Sequence, residues 1–448
     1  MKHKYLLFSI LVLFSAGLKG QSFFCSLTGD IPPLRDSRQV ALGFSSWGTQ
    51  GSAAALSFNP ALLSLNEVRL AVYAGLNGVS DVEKRSFPFQ DSFGDFLADN
   101  SYVVNKNWFP GFHLGANYRL SPRINLAMTF RKEIIRDFRY EEEIRGSLYG
   151  QYNRDPLAGY HRITSTGNNT AISMGGSFQL FKSLRLGTAF QINLPGQYEN
   201  IYEIDVIRES YNLASDHTIS YQTNPDVENG IDATVGLVFD MSKRLNLAMS
   251  YSLKGSTTIE KELIFLLNDV TSTLPVLAID STEEIKNAEF TKPTEFRIGL
   301  KYCPENLVRT SFFLEAVYQP WSDFKIDYKY NDDSFAPDFQ TDLFASEFSL
   351  NDIWKIHLGI EYEFFSGVPF RLGFYHDPNP IDGGLDRNWF TAGTSYKWDH
   401  LSLDIAASFA NSEYDYPDLF PVEGEERADF DTVREVYLLG ILTLNYAF

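Results

Sequence analysis

The sequence predicts an all-β chain, a transmembrane antiparallel β-barrel of about 14 strands with an N-terminal hatch inside its lumen. Three observations predict it. Apolar and polar residues alternate with a period of two from Glu67 to the C-terminus. The alternating segments come in pairs joined by short turns, and long polar connections separate the pairs. The segments run to about nine to twelve residues, the length a tilted strand needs to cross hydrocarbon, and no apolar run of helix-spanning length occurs.

The chain opens with MKHKYLLFSILVLFSAGLKGQS. Lys2 and Lys4 precede an apolar run, residues 6–16, of signal-peptide length. Cleavage near Gly20 makes residues 1–20 an export signal, residues 21–66 the hatch and residues 67–448 the barrel. Phe23 and Phe24 before Cys25 do not form the small-residue site that lipidation needs.

The hatch contains GSAAALSFNPALLSL, residues 51–65, which is small, uncharged and without alternation. Pro60 suits neither a helix interior nor a central strand. Small residues allow such a segment to fold compactly inside a lumen. Asn59 can satisfy freed backbone groups with its side-chain amide.

Within the barrel, residues 354–362 put Trp354, Ile356, Leu358, Ile360 and Tyr362 on one face, and Lys355, His357, Gly359 and Glu361 on the other. Six hairpins follow this pattern: 112–120 with 124–134, 171–181 with 184–194, 231–241 with 245–254, 294–303 with 309–318, 353–364 with 370–376, and 389–398 with 401–409. Segments 67–76 and 433–448 complete the count. The connections 77–111, 136–170, 195–230, 255–293, 319–352, 377–388 and 411–432 read as extracellular loops, and the short turns as periplasmic. Tyr118, Tyr251, Tyr302, Tyr318, Trp354, Tyr362 and Trp398 lie near strand ends, as interfacial girdles require.

Composition excludes several classes. The net charge of −19 argues against a nucleic-acid partner. Two cysteines cannot staple a disulfide-rich fold. No nucleophile elbow, zinc-protease or phosphate-loop motif occurs, so the chain is not expected to be an enzyme or to hold a cofactor or metal. His357, Glu361 and Glu363 share an inward face and read as polar wall residues. Inward charges include Arg69, Arg119, Arg131, Arg185, Arg297, Lys301, Lys355 and Arg371 with Glu295, Glu315, Glu361 and Asp404. Most are expected to form ion pairs along the wall, with one or two cations left for a substrate carboxylate.

Asn59-Pro60-Ala61 immediately before the first strand, the phrase WFPGFHLGANY at 108–118 followed by LSPR, and KPTEFRIGLKY at 292–302 resemble the FadL/TodX family of outer-membrane transporters. The resemblance implies a monomeric passive importer of hydrophobic small molecules, long-chain fatty acids or aromatic hydrocarbons, in the bacterial outer membrane. It implies gating at Asn59, Pro60 and Ala61. In the segment 258–279, Ile259, Leu263, Leu266 and Leu267 recur at near-helical spacing and would capture the ligand. The inward Phe313, Val317, Tyr437, Leu439 and Ile441 would line its pocket, and Arg297 or Lys301 would anchor a carboxylate. A hatch movement would open an exit through the wall. The alternative is a non-transporting relative of the PorV type, a secretion or surface-attachment factor. The last strand, ending in Phe448, resembles the C-terminal signal read by the barrel-assembly machinery, and outer-membrane lipid is expected to surround the wall. Cys25 and Cys303 both fall on the periplasmic side and could form a disulfide.

Overall fold

The structure, a computed structural model, describes residues 32–90, 96–135, 138–145, 157–206, 219–224, 226–228, 230–260, 285–305, 309–330, 350–380, 383–416 and 431–448. The expected export signal, Cys25 and Leu263, Leu266 and Leu267 lie outside the described residues.

The hatch is a string of short capped turns. Helix α1 (Ser37–Ala41) is capped by Asp36, whose carboxylate accepts from the Arg38 N–H at 2.8 Å. Three 3-10 turns follow, Ser46–Thr49, Ala53–Ser57 and Pro60–Leu65, capped by Ser45, Ser52 and Asn59. Each cap has a short side chain whose oxygen reaches the N–H two residues on, so every turn begins with a local acceptor. Pro60 occupies the first turn position, where its missing N–H costs nothing. Alanine and leucine fill the remaining positions, and Ala54, Ala55, Ala61, Leu62 and Leu63 are fully buried.

Strands follow in chain order. β1 (Leu70–Gln90), β2 (Phe96–Ser121), β3 (Ile124–Ile135), β4 (Phe138–Arg145), β5 (Leu157–Phe181), β6 (Leu184–Asn193) and β7 (Gly196–Val206) come first. β8 (Ile219–Thr223), β9 (Asp226–Val227), β10 (Gly230–Asp240), β11 (Leu245–Leu253), β12 (Ser256–Glu260), β13 (Ile285–Thr291) and β14 (Glu295–Tyr302) succeed them. β15 (Arg309–Gln319), β16 (Lys325–Tyr330), β17 (Ile353–Glu363), β18 (Pro369–Asp377), β19 (Arg387–Trp398), β20 (Leu401–Tyr416) and β21 (Asp431–Ala447) complete the chain.

Fourteen of these build a closed antiparallel wall in the order β1-β2-β3-β5-β6-β10-β11, then β14-β15-β17-β18-β19-β20-β21. β21 returns to β1, paired from Ala71↔Ala447 to Ser86↔Thr432, so the wall has no free edge. Closure leaves every wall backbone group with a neighbour, the condition for crossing hydrocarbon with strands. Among the described residues no helix is long and apolar enough to cross.

Alternation sorts the two faces. Leu358, Leu372, Leu442 and Leu444 are exposed on the outside, while His357, Arg371 and Thr443 are buried inside. Outward aromatics gather at both ends. Tyr318 and Trp354 pack at 5.0 Å between ring centroids at the long-connection end. Tyr396 with Trp398, and Tyr446 with Phe448, each pack at 4.5 Å at the short-turn end.

The first wall strand begins at Leu70 rather than residue 67. The larger correction concerns the long connections, expected as loops. Much of them continues as paired strand. β1 and β2 stay in register through Val79↔Phe109 and Lys84↔Val104, far into the expected loop 77–111. β4, β7, β8, β9, β12, β13 and β16 likewise pair beyond the wall. The reason is physical. Above the hydrocarbon both faces meet water or polar partners, so Asp81, Glu83, Lys84 and Arg85 can follow one another and the alternation signal disappears. The backbone ladder persists because an abandoned strand edge would leave its polar groups unpaired.

Candidate functional site

The hatch occupies the lumen and rests on two places where the wall has no side chains. Gly187 of β6 and Gly236 of β10 are direct register partners. A Cβ on Gly187 would collide with the backbone of Pro60 and Ala61, and one on Gly236 with the Asn59 side chain. Asn59 completes this seat. Its Nδ2 donates to Leu237 O at 3.2 Å and Met249 O at 3.0 Å, while its Oδ1 accepts from the Ala61 N–H at 3.0 Å. Gly359 of β17 and Gly373 of β18 form the second register pair, against which Leu42 and Gly43 lie without room for a Cβ. Gly43 itself has φ +66°, a conformation that favours glycine. Its N–H donates to Thr391 Oγ1 at 3.1 Å, and its carbonyl accepts from His357 Nδ1 at 2.8 Å.

Three wall carboxylates hold the hatch by charge. Arg38 engages Glu361 through two bonds of 2.9 and 2.7 Å, and Arg371 links Glu361 to Asp404. Arg35 reaches Glu133 at 2.7 Å beside Arg131. Fully buried Glu315 accepts from Ser45 Oγ at 3.2 Å, from the Ser46 N–H at 3.0 Å and from the Ser46 hydroxyl, and pairs with Arg297. Such charge-assisted bonds strengthen where water is excluded. Asp36 belongs to the same region. Burial, and then the nearby Asp404, push its carboxyl up to about 6.

Above the hatch, toward the long connections, lies a cavity of about 240 Å³. Leu34, Phe44, Phe58, Trp321 and Tyr375 give it an apolar lining. Six cations, Arg35, Lys132, Lys254, Lys292, Arg297 and Lys355, surround it with two carboxylates, Glu133 and Glu295. Arg297 is engaged by Glu295 and Glu315, Lys355 lies 3.2 Å from Asp377, and Lys254 lies 3.6 Å from Asp232. Lys292, on the segment between β13 and β14, has no ion-pair partner among the described residues. Burial lowers its ammonium pKa below the ordinary range, opposed by Glu133 and Asp232.

The sequence matches the family described as outer membrane protein transport protein (OMPP1/FadL/TodX) over residues 49–448. The chain belongs to that family. No curated protein matches it. Among solved structures, it is similar to a Pseudomonas aeruginosa FadL homologue, with TM-score 0.58 and 12% identity over 93% of this chain and 99% of that one. It is similar to the P. putida toluene transporter TodX, with TM-score 0.56 and 14% identity over 94% and 99% of the two chains. At these identities the likeness concerns the fold. Membership of the FadL/TodX family makes the chain an outer-membrane transport protein.

Within this FadL/TodX barrel the expected site residues separate. Asn59, Pro60 and Ala61 sit on the first glycine seat. Phe313 packs with hatch residues Leu42, Trp47 and Leu62. Tyr437, Leu439 and Ile441 pack with Leu34, Val40 and Phe44. These four, with buried Val317, do not line the cavity; the hatch stands between the expected pocket residues and open space. Lys301 donates to Gln50 Oε1 at 2.8 Å and lies over the rings of Trp47 and Phe313, so it serves the hatch. Of the expected residues, Arg297 reaches the cavity, with its charge already matched. Cys303 Sγ lies 3.3 Å from Ser311 Oγ and forms no disulfide with a described residue. His357 and Glu361 are committed to different hatch groups, Gly43 and Arg38.

Sequence reasoning did not single out Lys292, Lys254, Phe44, Phe58 or the glycine seats. The seats did leave a signal. Gly187 and Gly236 both occupy inward positions on alternating strands, and a wall glycine often marks close approach of another backbone.

Proposed function

We propose that this barrel passively admits hydrophobic small molecules that carry an anionic group, of the fatty-acid or aromatic kind, through a cavity closed below by the hatch. The observation that carries this reading is the lining of the cavity: six cations against two carboxylates over an aromatic floor, in a chain whose net charge is −19. A mostly apolar cleft with a few convergent charges binds an amphipathic ligand, and local positive potential concentrates an anion there. Lys292 is the proposed anchor, because its charge has no described partner to displace.

Passage then requires the hatch to leave its seats. An exit through the wall is supported at the β2–β3 seam. Register there runs no further than His113↔Arg131. Beyond it stands Pro110, which has no N–H, and Lys132 Nζ lies 3.2 Å from the Pro110 carbonyl. Gly111 and Lys132 also line the cavity, so the seam and the ligand site adjoin. No energy-coupling element is proposed, and flux follows the gradient.

The test is uptake of labelled oleate, phenylacetate and toluene by a strain lacking the gene, with the wild-type chain or Lys292→Met restored. The reading expects both acids to enter faster with the wild-type chain, and Lys292→Met to reduce their uptake about tenfold, the effect of losing one charged hydrogen bond. Uptake confined to toluene would contradict the anionic reading. No uptake of any compound would favour the scaffold alternative.

A further inference from the structure

The outward face of β1, β2 and β21 changes character toward the long-connection end. Its lower part is apolar, with Leu76, Trp108, Leu438 and Leu442 exposed on the outside. Trp108 of β2, the register partner of Ser80, stands where an interfacial ring marks the edge of the hydrocarbon. Past it the same face turns basic. Lys106 follows Trp108 by two positions on β2, and Lys84 follows Ser80 by four on β1. Both lysines are exposed, while their neighbours Asn105, Asn107, Glu83 and Arg85 are buried on the inside. At a rise of about 3.4 Å per residue and a tilt of about 40°, the two lysines leave the wall about 5 and 10 Å above Trp108. The headgroup layer occupies about 5–7 Å beyond the hydrocarbon, and flexible lysine stems reach back into it.

The cations of this face crowd one another. Lys84 and Arg434 are direct register partners across β1 and β21, and Lys106 lies diagonally to Lys84 across β1 and β2. Direct partners have Cβ atoms about 5 Å apart and diagonal ones about 7–8 Å, and like charges set so close destabilise a sheet. Glu413 answers one of the charges, at 2.9 Å from Arg434, and Asp415 follows it two positions further along β20. Lys84 and Lys106 have neither an ion pair nor a hydrogen-bond partner among the described residues. Elsewhere this edge carries the opposite charge: Asp352 accepts from the Tyr318 hydroxyl at 2.6 Å, beside Trp354. Basic charge thus collects on one arc of a chain whose net charge is −19.

We infer that this arc binds a phosphorylated glycolipid of the outer leaflet, with Lys84, Lys106 and Arg434 on its phosphates and Leu76, Trp108 and Leu438 against its acyl chains. The inference takes the long-connection end as the extracellular one, as the sequence pattern reads, and is independent of what the barrel admits. A phosphate among these side chains relieves their mutual repulsion and accepts charge-assisted hydrogen bonds. A lipid holds its phosphates at this height through the chains below, an anchor that free phosphate lacks.

The test is native mass spectrometry of the full-length protein in detergent, titrated with bisphosphorylated lipid A, with the same lipid dephosphorylated, and with phosphatidylglycerol. The wild-type protein should bind lipid A at least about tenfold more tightly than its dephosphorylated form, the effect of losing one charged hydrogen bond or more. It should also prefer lipid A to phosphatidylglycerol, whose single phosphate meets fewer of the cations. Lys84→Gln combined with Lys106→Gln should abolish the preference for phosphate. Lys243→Gln, on the exposed turn between β10 and β11, should leave it intact. Equal binding of the two forms of lipid A by the wild-type protein, a preference that survives the double substitution, or an equal loss in Lys243→Gln overturns the inference. Phosphatidylglycerol bound as tightly as lipid A, or lipid A displaced by millimolar inorganic phosphate, overturns the glycolipid as the occupant. The wild-type comparison decides the matter even if a variant does not fold.

Discussion

Gly187 and Gly236 face each other across β6 and β10, and Asn59 with Pro60 fills the space that their missing side chains leave. The hatch is thus fitted to the wall at the level of backbone. A Cβ on either glycine must move the Asn59-Pro60-Ala61 turn or the strand beneath it. Gly236→Val should displace the turn, since overpacking a fitted contact costs about 1–3 kcal/mol, and the barrel itself should still form. Planar-bilayer recordings should then show conductance above wild type. Wild-type conductance in a correctly folded variant would count against the seat.

Asn59 joins three acceptors and donors at once, two wall carbonyls and its own turn. Asn59→Ala removes a cap and both bonds to the wall. A cap alone is worth about 0.5–2 kcal/mol. The variant should open in bursts, and limited proteolysis of the hatch should accelerate with it. An unchanged digestion rate would remove Asn59 from the gate.

Glu315 is buried without exposure, between the Ser45-Ser46 turn and Arg297. Glu315→Ala leaves the Arg297 charge with Glu295 alone, and breaking a buried pair costs about 3–5 kcal/mol. Glu315→Gln retains an acceptor for the serine groups and should lose less. Thermal unfolding in detergent should rank wild type above Gln and Gln above Ala. A variant Ala as stable as wild type would show that Glu315 does not hold the hatch.

Asp36 supplies a pH dependence. Burial and Asp404 raise its folded-state pKa to about 6, from the ordinary 3.8 of an aspartate, while Arg38 and Arg371 oppose the rise. Between those values the folded state binds more protons than the unfolded one, so this group's contribution to stability falls as pH rises from about 4 to 6 and is constant above. Asp36→Asn, which keeps an oxygen for the Arg38 N–H, should flatten stability across that window. It should also raise stability at pH 7. A slope unchanged by the substitution would contradict the assignment.

The wall was legible because lipid and lumen impose opposite demands on successive residues, as Leu358 and His357 illustrate. The sequence lost the strands above the membrane, such as Asp81 to Arg85 of β1, because water removes that contrast while the ladder continues. The hatch was legible as a compact segment at Asn59-Pro60, but not as four capped turns, since caps at Asp36, Ser45 and Ser52 use common residues. The cavity was illegible for a different reason. Its groups meet only after closure: His357 depends on Gly43, 314 positions earlier, and Phe313 and Tyr437 changed from expected lining to buried support once the hatch filled the lumen.

The central claim is that the hatch must move for an anionic hydrophobe to pass. Ser37 Oγ and Thr443 Oγ1 lie 2.8 Å apart, one on α1 and the other on β21, so cysteines at both positions should cross-link the hatch to the wall. In a background with Cys25 and Cys303 replaced by serine, flux of labelled phenylacetate into proteoliposomes should stop when the Ser37→Cys, Thr443→Cys pair is oxidised and return on reduction. Equal flux in the oxidised and reduced protein would contradict the account.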